Sequence, residues 1–186
     1  MNAKSKLKKS ELIPSQTGSL AVKKSGLNKR GLKLIHGSKK QEVRVIIGCG
    51  DDGISEYLSD LVKEASKSKY DLKFFTSFYS EEILELADRE AIDIFILVMS
   101  NIDCFDYPIR ERMENSLELI AQIKSTFEKP VIALSAWTED FSQIERVELI
   151  ADFFFPLPFE PSDIMEAVEE SFDMLYVSRE AYLKRI

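Results

Sequence analysis

Ala151-Asp152-Phe153-Phe154-Phe155-Pro156-Leu157-Pro158-Phe159-Glu160-Pro161-Ser162-Asp163 carries the clearest structural signal in the chain. Its three consecutive phenylalanines are strand formers in a run too short for a helix, so Asp152 to Phe155 reads as a short buried strand. Three prolines then fix a corner, because each locks its own φ and pushes the residue before it out of the α region. Pro161-Ser162-Asp163 opens a helix. Strand, corner and helix make one βα step, and the chain before it repeats that step.

Upstream, Pro130-Val131-Ile132-Ala133-Leu134 is a fourth strand, and Phe141 to Ile150 a helix between it and the last strand. Ile92 to Met99 is a third, almost wholly apolar strand, and Met113, Leu117, Ile120, Ile123 and Phe127 mark the helix after it. Leu72 to Thr76 is the second strand, with a helix from Ser80 through Ala91. Val43-Arg44-Val45-Ile46-Ile47 is the first, followed by a helix with Ile54, Tyr57, Leu58, Leu61, Val62 and Ala65 on one face. Five strands alternating with five helices predict a three-layer α/β domain with a parallel sheet and right-handed crossovers. Functional groups in such sheets gather at the carboxyl ends of the strands.

Charge divides the chain. Residues 1–41 carry eleven Lys/Arg and one acid, a net of +10, while residues 42–186 carry fourteen Lys/Arg and thirty-one acids, a net of −17. The first segment is poor in aromatics and rich in Lys, Ser and Gly, so it reads as a largely disordered basic arm suited to an anionic partner such as nucleic acid or a membrane surface. Residues 42–176 form the folded domain, and 177–186 extend its last helix. No apolar run approaches the ~20 residues that span a bilayer. There is no signal core, and Cys49 and Cys104 make no disulfide framework, so a reducing cytoplasm is the expected location.

The segment 151–159, together with Pro130 to Ala136, resembles the end of a response-regulator receiver domain, whose pattern is Ala-Asp-Asp-Phe/Tyr-x-x-Lys-Pro-Phe. The resemblance extends over about residues 43–176. It implies a flavodoxin-like (βα)5 fold with strand order 2-1-3-4-5. It places the family's phosphoryl-contacting Ser/Thr on Ser135, the aromatic switch position on Phe154 and a cis proline at Pro158. The step of 22 residues from Ser135 to Leu157 equals the usual Thr-to-Lys step.

The same resemblance exposes three departures. The acidic pair that holds Mg²⁺ in receivers falls on Cys49 and Gly50, the phosphoacceptor aspartate on Val98, and the catalytic lysine on Leu157. Phosphoryl transfer to an aspartate needs a carboxylate nucleophile, a divalent cation and a positive charge on the phosphoryl oxygens. All three are missing at the aligned positions, so the resemblance implies a degenerate receiver without catalysis and without a metal. The alternative is an atypical response regulator in which Asp51 and Asp52 hold Mg²⁺ and Asp103 or Asp106 accepts phosphate, helped by a long loop at Ser100–Asn115. Otherwise these aspartates are loop and helix-capping residues.

Other sites are poorly supported. Gly48-Cys49-Gly50-Asp51-Asp52-Gly53 spells G-x-G-x-x-G, but two aspartates would face a pyrophosphate and no acid ends the second strand to bind a ribose. A tight turn is the expected role of these glycines. The lone histidine, His36, lies in the arm, which leaves no Ser-His, Cys-His or cobalamin-type signature and no small-molecule substrate. Cys49 and Cys104 would share one rim of the sheet, as free thiols or as a redox pair.

The expected output is therefore protein contact. The resemblance implies a partner surface formed by the fourth helix, fifth strand and fifth helix, with Trp137, Phe154 and Phe159 as interaction candidates. Met165, Val168, Phe172, Leu175, Tyr182 and Ile186 continue an apolar stripe past the domain's end, which fits a homodimer or another helix. A non-catalytic, phosphorylation-independent regulatory protein is the resulting expectation, with an adaptor working through the basic arm as a second alternative.

Overall fold

Five β-branched and aromatic runs pair in parallel, in the order β2-β1-β3-β4-β5. The structure is a computed structural model; it divides into two units, Met1–Gly37 and Ser38–Ile186, and describes residues 40–136 and 141–183, without the side chains of 141–143 and 177–183. The elements are β1 (Gln41–Gly48), α1 (Asp52–Ala65), β2 (Tyr70–Ser77), α2 (Ser80–Glu90), β3 (Ile94–Val98), a 3₁₀ turn (Met99–Asn101), α3 (Ile109–Phe127), β4 (Val131–Ser135), α4 (Phe141–Ile150), β5 (Phe153–Pro156) and α5 (Pro161–Leu183). This is the expected three-layer architecture. The Leu157–Pro158 bond is cis. No helix among the described residues is long and apolar enough to cross a membrane.

Strand alternation splits the interior into two cores. Val45, Ile47, Ile94, Ile96, Val98, Ile132 and Leu134 meet α1 and α5 on one face. Ile46, Phe95, Leu97, Val131 and Ala133 meet α2, α3 and α4 on the other. Every residue of β3 and β4 is buried, which is why those strands read as continuous apolar runs. β5 lies at the sheet edge, so its three phenylalanines are half-buried: Phe153 and Phe155 pack on the first core and Phe154 on the second.

Two aspartates tie the amino ends of the strands. Asp152 accepts the Val131 N–H and the Lys124 ammonium, each at 2.8 Å. The buried Asp93 accepts the Arg44 N–H at 3.1 Å and Lys129 Nζ at 3.3 Å. Both lie at the edge opposite the carboxyl ends, so the Asp of the Ala151-Asp152 motif clamps strands together and stands away from any site there.

Two expectations are corrected. The loop expected at Ser100–Asn115 is shorter, because α3 begins at Ile109 behind Pro108. Its first turn buries nothing before Met113, so it left no apolar periodicity to read. The glycines of the G-x-G-x-x-G stretch do not supply a left-handed turn, since none has positive φ. Gly48 and Gly50 are needed for close approach: a Cβ on Gly48 would stand 2.8 Å from Leu97 Cδ2, and one on Gly50 2.8 Å from Cys104 Sγ. Left-handed positions fall instead on residues with side chains, including Ala91 and Glu128 just past α2 and α3.

Candidate functional site

The register brings the ends of β1, β3, β4 and β5 together. Gly48 pairs with Leu97, Val98 with Leu134, and Ser135 with Pro156. Cys49, Gly50, Val98, Ser135 and Leu157 therefore stand at or just beyond the carboxyl ends of these strands, where the sequence places them.

Their surroundings are closed. Val98 is 1% exposed and belongs to the apolar core beneath α1 and α5, so the side chain at the end of β3 faces hydrocarbon. Ser135 is fully buried, with its hydroxyl 3.8 Å from Met113 Sδ. Leu157 is half-buried and tied through its own N–H to the Ser135 carbonyl at 2.8 Å. The buried Cys49 thiol accepts from the Asp51 N–H at 3.4 Å and from Asn101 Nδ2 at 3.5 Å. Cys104 fills the space a side chain on residue 50 would take. Both cysteines are free thiols on one rim.

Thiol, hydrogen and isopropyl at positions 49, 50 and 98 offer Mg²⁺ no carboxylate oxygen, the ligand it prefers. Among the described residues, no three His, Cys, Asp or Glu side chains gather where they could hold a metal ion.

Two of the displaced acids, Asp51 and Asp103, have other partners. Asp51 is the N-cap of α1: its Oδ1 accepts the Ile54 N–H at 3.0 Å. Asp52 is the exposed first residue of that helix. Asp103 is only 6% exposed, at φ 51°, and both its oxygens are engaged by Ser80, the backbone N–H at 3.0 Å and the hydroxyl at 2.5 Å. It caps α2, whose own cap residue, Tyr79, makes no side-chain bond. Asp106 stays exposed. Of the interaction candidates, Phe154 and Phe159 are half-buried in packing, Phe159 stacking on Tyr57 at 6.3 Å between ring centroids. Trp137 lies outside the described residues, as do the side chains of Phe141, Tyr182 and Ile186.

Sequence reasoning missed two features at this edge. Arg112, from the first turn of α3, donates to the Ser100 carbonyl at 2.7 Å. An aromatic cluster also forms where the β2–α2 and β3–α3 loops meet: Phe78 lies 4.2 Å from Tyr79 and meets Phe105 edge-on at 5.4 Å. Phe105 and Tyr107 were visible as aromatics in a polar loop. Nothing in the sequence showed that the loop lies against Phe78.

No family model matches the sequence, and no curated protein matches it. Solved structures do. The signal receiver domain of an HD domain-containing protein from Pseudomonas fluorescens Pf-5 is similar with a TM-score of 0.55 at 16% identity, covering 74% of this chain and 99% of that one. The receiver domain of the Francisella response regulator 1452 gives 0.53 at 19% identity, over 74% and 98%. The response regulatory domain of mrkE from Klebsiella pneumoniae gives 0.54 at 17% identity, over 72% and 98%. At these identities the likeness is one of fold, and the described part of the chain has the fold of response-regulator receiver domains.

Proposed function

We propose that this chain is a pseudo-receiver: a signalling module of receiver fold that acts by contact with other proteins and performs no phosphoryl transfer. The observation that carries this reading is Val98. The position where a receiver presents its acceptor carboxylate holds an isopropyl group that is 1% exposed. Restoring a carboxylate there would bury a charge in an apolar core at a cost of several kcal/mol. The neighbouring positions support the same reading, since neither Cys49 nor Gly50 offers Mg²⁺ a carboxylate oxygen and Leu157 offers no cation. On this reading the domain takes no metal and has a single resting state at this edge.

Incubation with Mg²⁺ and acetyl phosphate, read by intact mass, is expected to leave the protein unmodified. Beryllofluoride with Mg²⁺ is expected to leave its amide spectrum unchanged. A covalent phosphate removed by replacing one aspartate, with Asp51, Asp52, Asp103 and Asp106 tested in turn, would overturn the proposal.

A further inference from the structure

A groove of about 720 Å³ runs between α2 and α3. Glu81, Glu85, Asp106 and Glu118 line it, and none of them makes an ion pair among the described residues. No Lys or Arg lines it. Asp103 and Glu82 also reach it, but their carboxylates are held by Ser80 and Ser77. At one end the groove runs into the aromatic cluster, and Tyr79 belongs to both.

The cluster is open to solvent. Phe105 is 74% exposed, while Tyr79 and Tyr107 are exposed beside it. A phenylalanine that bare, meeting Phe78 edge-on, contributes little to folding. Exposed aromatics grouped in this way mark contact surfaces. The surface lies away from the α4–β5–α5 face that sequence reading singled out.

We infer that this groove and its aromatic end dock a Lys/Arg-rich peptide segment of a partner protein that also carries apolar side chains. The inference rests on the reading of the chain as a docking protein and names the chemistry of the partner. Four carboxylates without an ion pair among the described residues select cationic side chains, and rings at one end accept either an apolar anchor or a guanidinium over the ring face. A nucleic acid or anionic membrane would meet like charge here. A small cation would leave the aromatic cluster uncovered.

The test uses the full chain and a fluorescein-labelled peptide of about twelve residues alternating Lys pairs with Leu, followed by anisotropy, with a Glu/Leu peptide of equal length as control. Wild type is expected to bind the Lys/Leu peptide, more weakly as salt rises, and to ignore the control. Phe105→Ala is expected to weaken binding about tenfold without changing the melting temperature, since the ring is exposed. Glu85→Lys with Glu118→Lys is expected to abolish binding. No binding by wild type would overturn the inference, and so would equal binding by wild type and both variants. Self-association of wild type that these variants abolish would overturn it in favour of a second copy as occupant. Failure here, with the acetyl phosphate result as expected, removes the groove and leaves the pseudo-receiver reading intact.

Discussion

Gly50 and Cys104 share one space: a Cβ on Gly50 would stand 2.8 Å from the Cys104 sulfur and 3.1 Å from the Asn101 carbonyl oxygen. The space a side chain on residue 50 would need is thus taken by a thiol from the β3–α3 loop. Gly50→Ala is expected to destabilise the protein by about 1–3 kcal/mol through overpacking. Cys104→Ala alone is expected to cost under ~1 kcal/mol, because the side chain is partly exposed. In the Cys104→Ala background the cost of Gly50→Ala is expected to fall but not vanish, since the Asn101 carbonyl stays in the way. Urea unfolding of the two single variants and the double variant measures the coupling, and strict additivity would show that the sulfur is not the obstacle.

Asp103 acts at a distance as the missing cap of α2, both its oxygens held by Ser80. Removing a buried charged acceptor from a helix N-terminus costs about 1–3 kcal/mol. Its positive φ complicates a plain alanine substitution, so two variants are informative. Asp103→Asn keeps an acceptor and tolerates the left-handed backbone, and is expected to retain most of the stability. Asp103→Gly relieves the backbone but loses the cap, and is expected to be the less stable of the two in thermal melts. A glycine variant as stable as wild type would show that capping is not what the carboxylate does.

Much of the fold was legible because its signals are local. The apolar runs of β3 and β4, the stripes of α1 and α5 and the proline corner at 156–161 each specify an element without help from elsewhere. The candidate positions Cys49, Gly50, Val98, Ser135 and Leu157 came from the receiver resemblance, laid along those elements. What stayed hidden depends on contacts distant in sequence. Cys104 reaching Gly50, Asp103 reaching Ser80, and Phe105 reaching Phe78 each join the β3–α3 loop to a segment distant in sequence, and neither periodicity nor composition encodes that. The same blindness explains the glycines: sequence shows that a side chain is missing and does not show that a neighbour fills the gap.

Ala91 ends α2 in the left-handed region, with φ 49° and ψ 60°. That conformation costs an L-residue with a Cβ free energy that glycine does not lose. The chain has no glycine after residue 53, so the position is filled by alanine. Ala91 is exposed, so nothing is lost by trimming it. Ala91→Gly is expected to raise stability by about 0.5–1 kcal/mol, net of the greater freedom glycine gives the unfolded chain. An unchanged or lower denaturation midpoint would count against strain at this cap.

Two groups give the protein opposite limits in pH. Burial against Phe172, whose ring centroid lies 4.4 Å away, raises the Tyr70 phenol above its ordinary 10.0, and the negative charges of Asp173 and ionised Tyr176 push the same way. The folded state then holds this proton more tightly than the unfolded chain. The contribution is complete below pH 10.0 and is lost as pH rises through the folded value. Tyr70→Phe is expected to flatten the alkaline limb of a stability profile while changing neutral stability little. Glu42 works in reverse. Hydrogen bonds from Lys73 and Arg44 hold its carboxyl below the ordinary 4.5, so its contribution is present above that pH and is lost as pH falls through the folded value. Because Glu42 is solvent-accessible, Glu42→Gln is expected to change the acid limb less than Tyr70→Phe changes the alkaline one, and less still at high salt. Denaturant midpoints from about pH 3 to about pH 11 would check both, and an alkaline limb unaltered in Tyr70→Phe would refute the assignment to this ring.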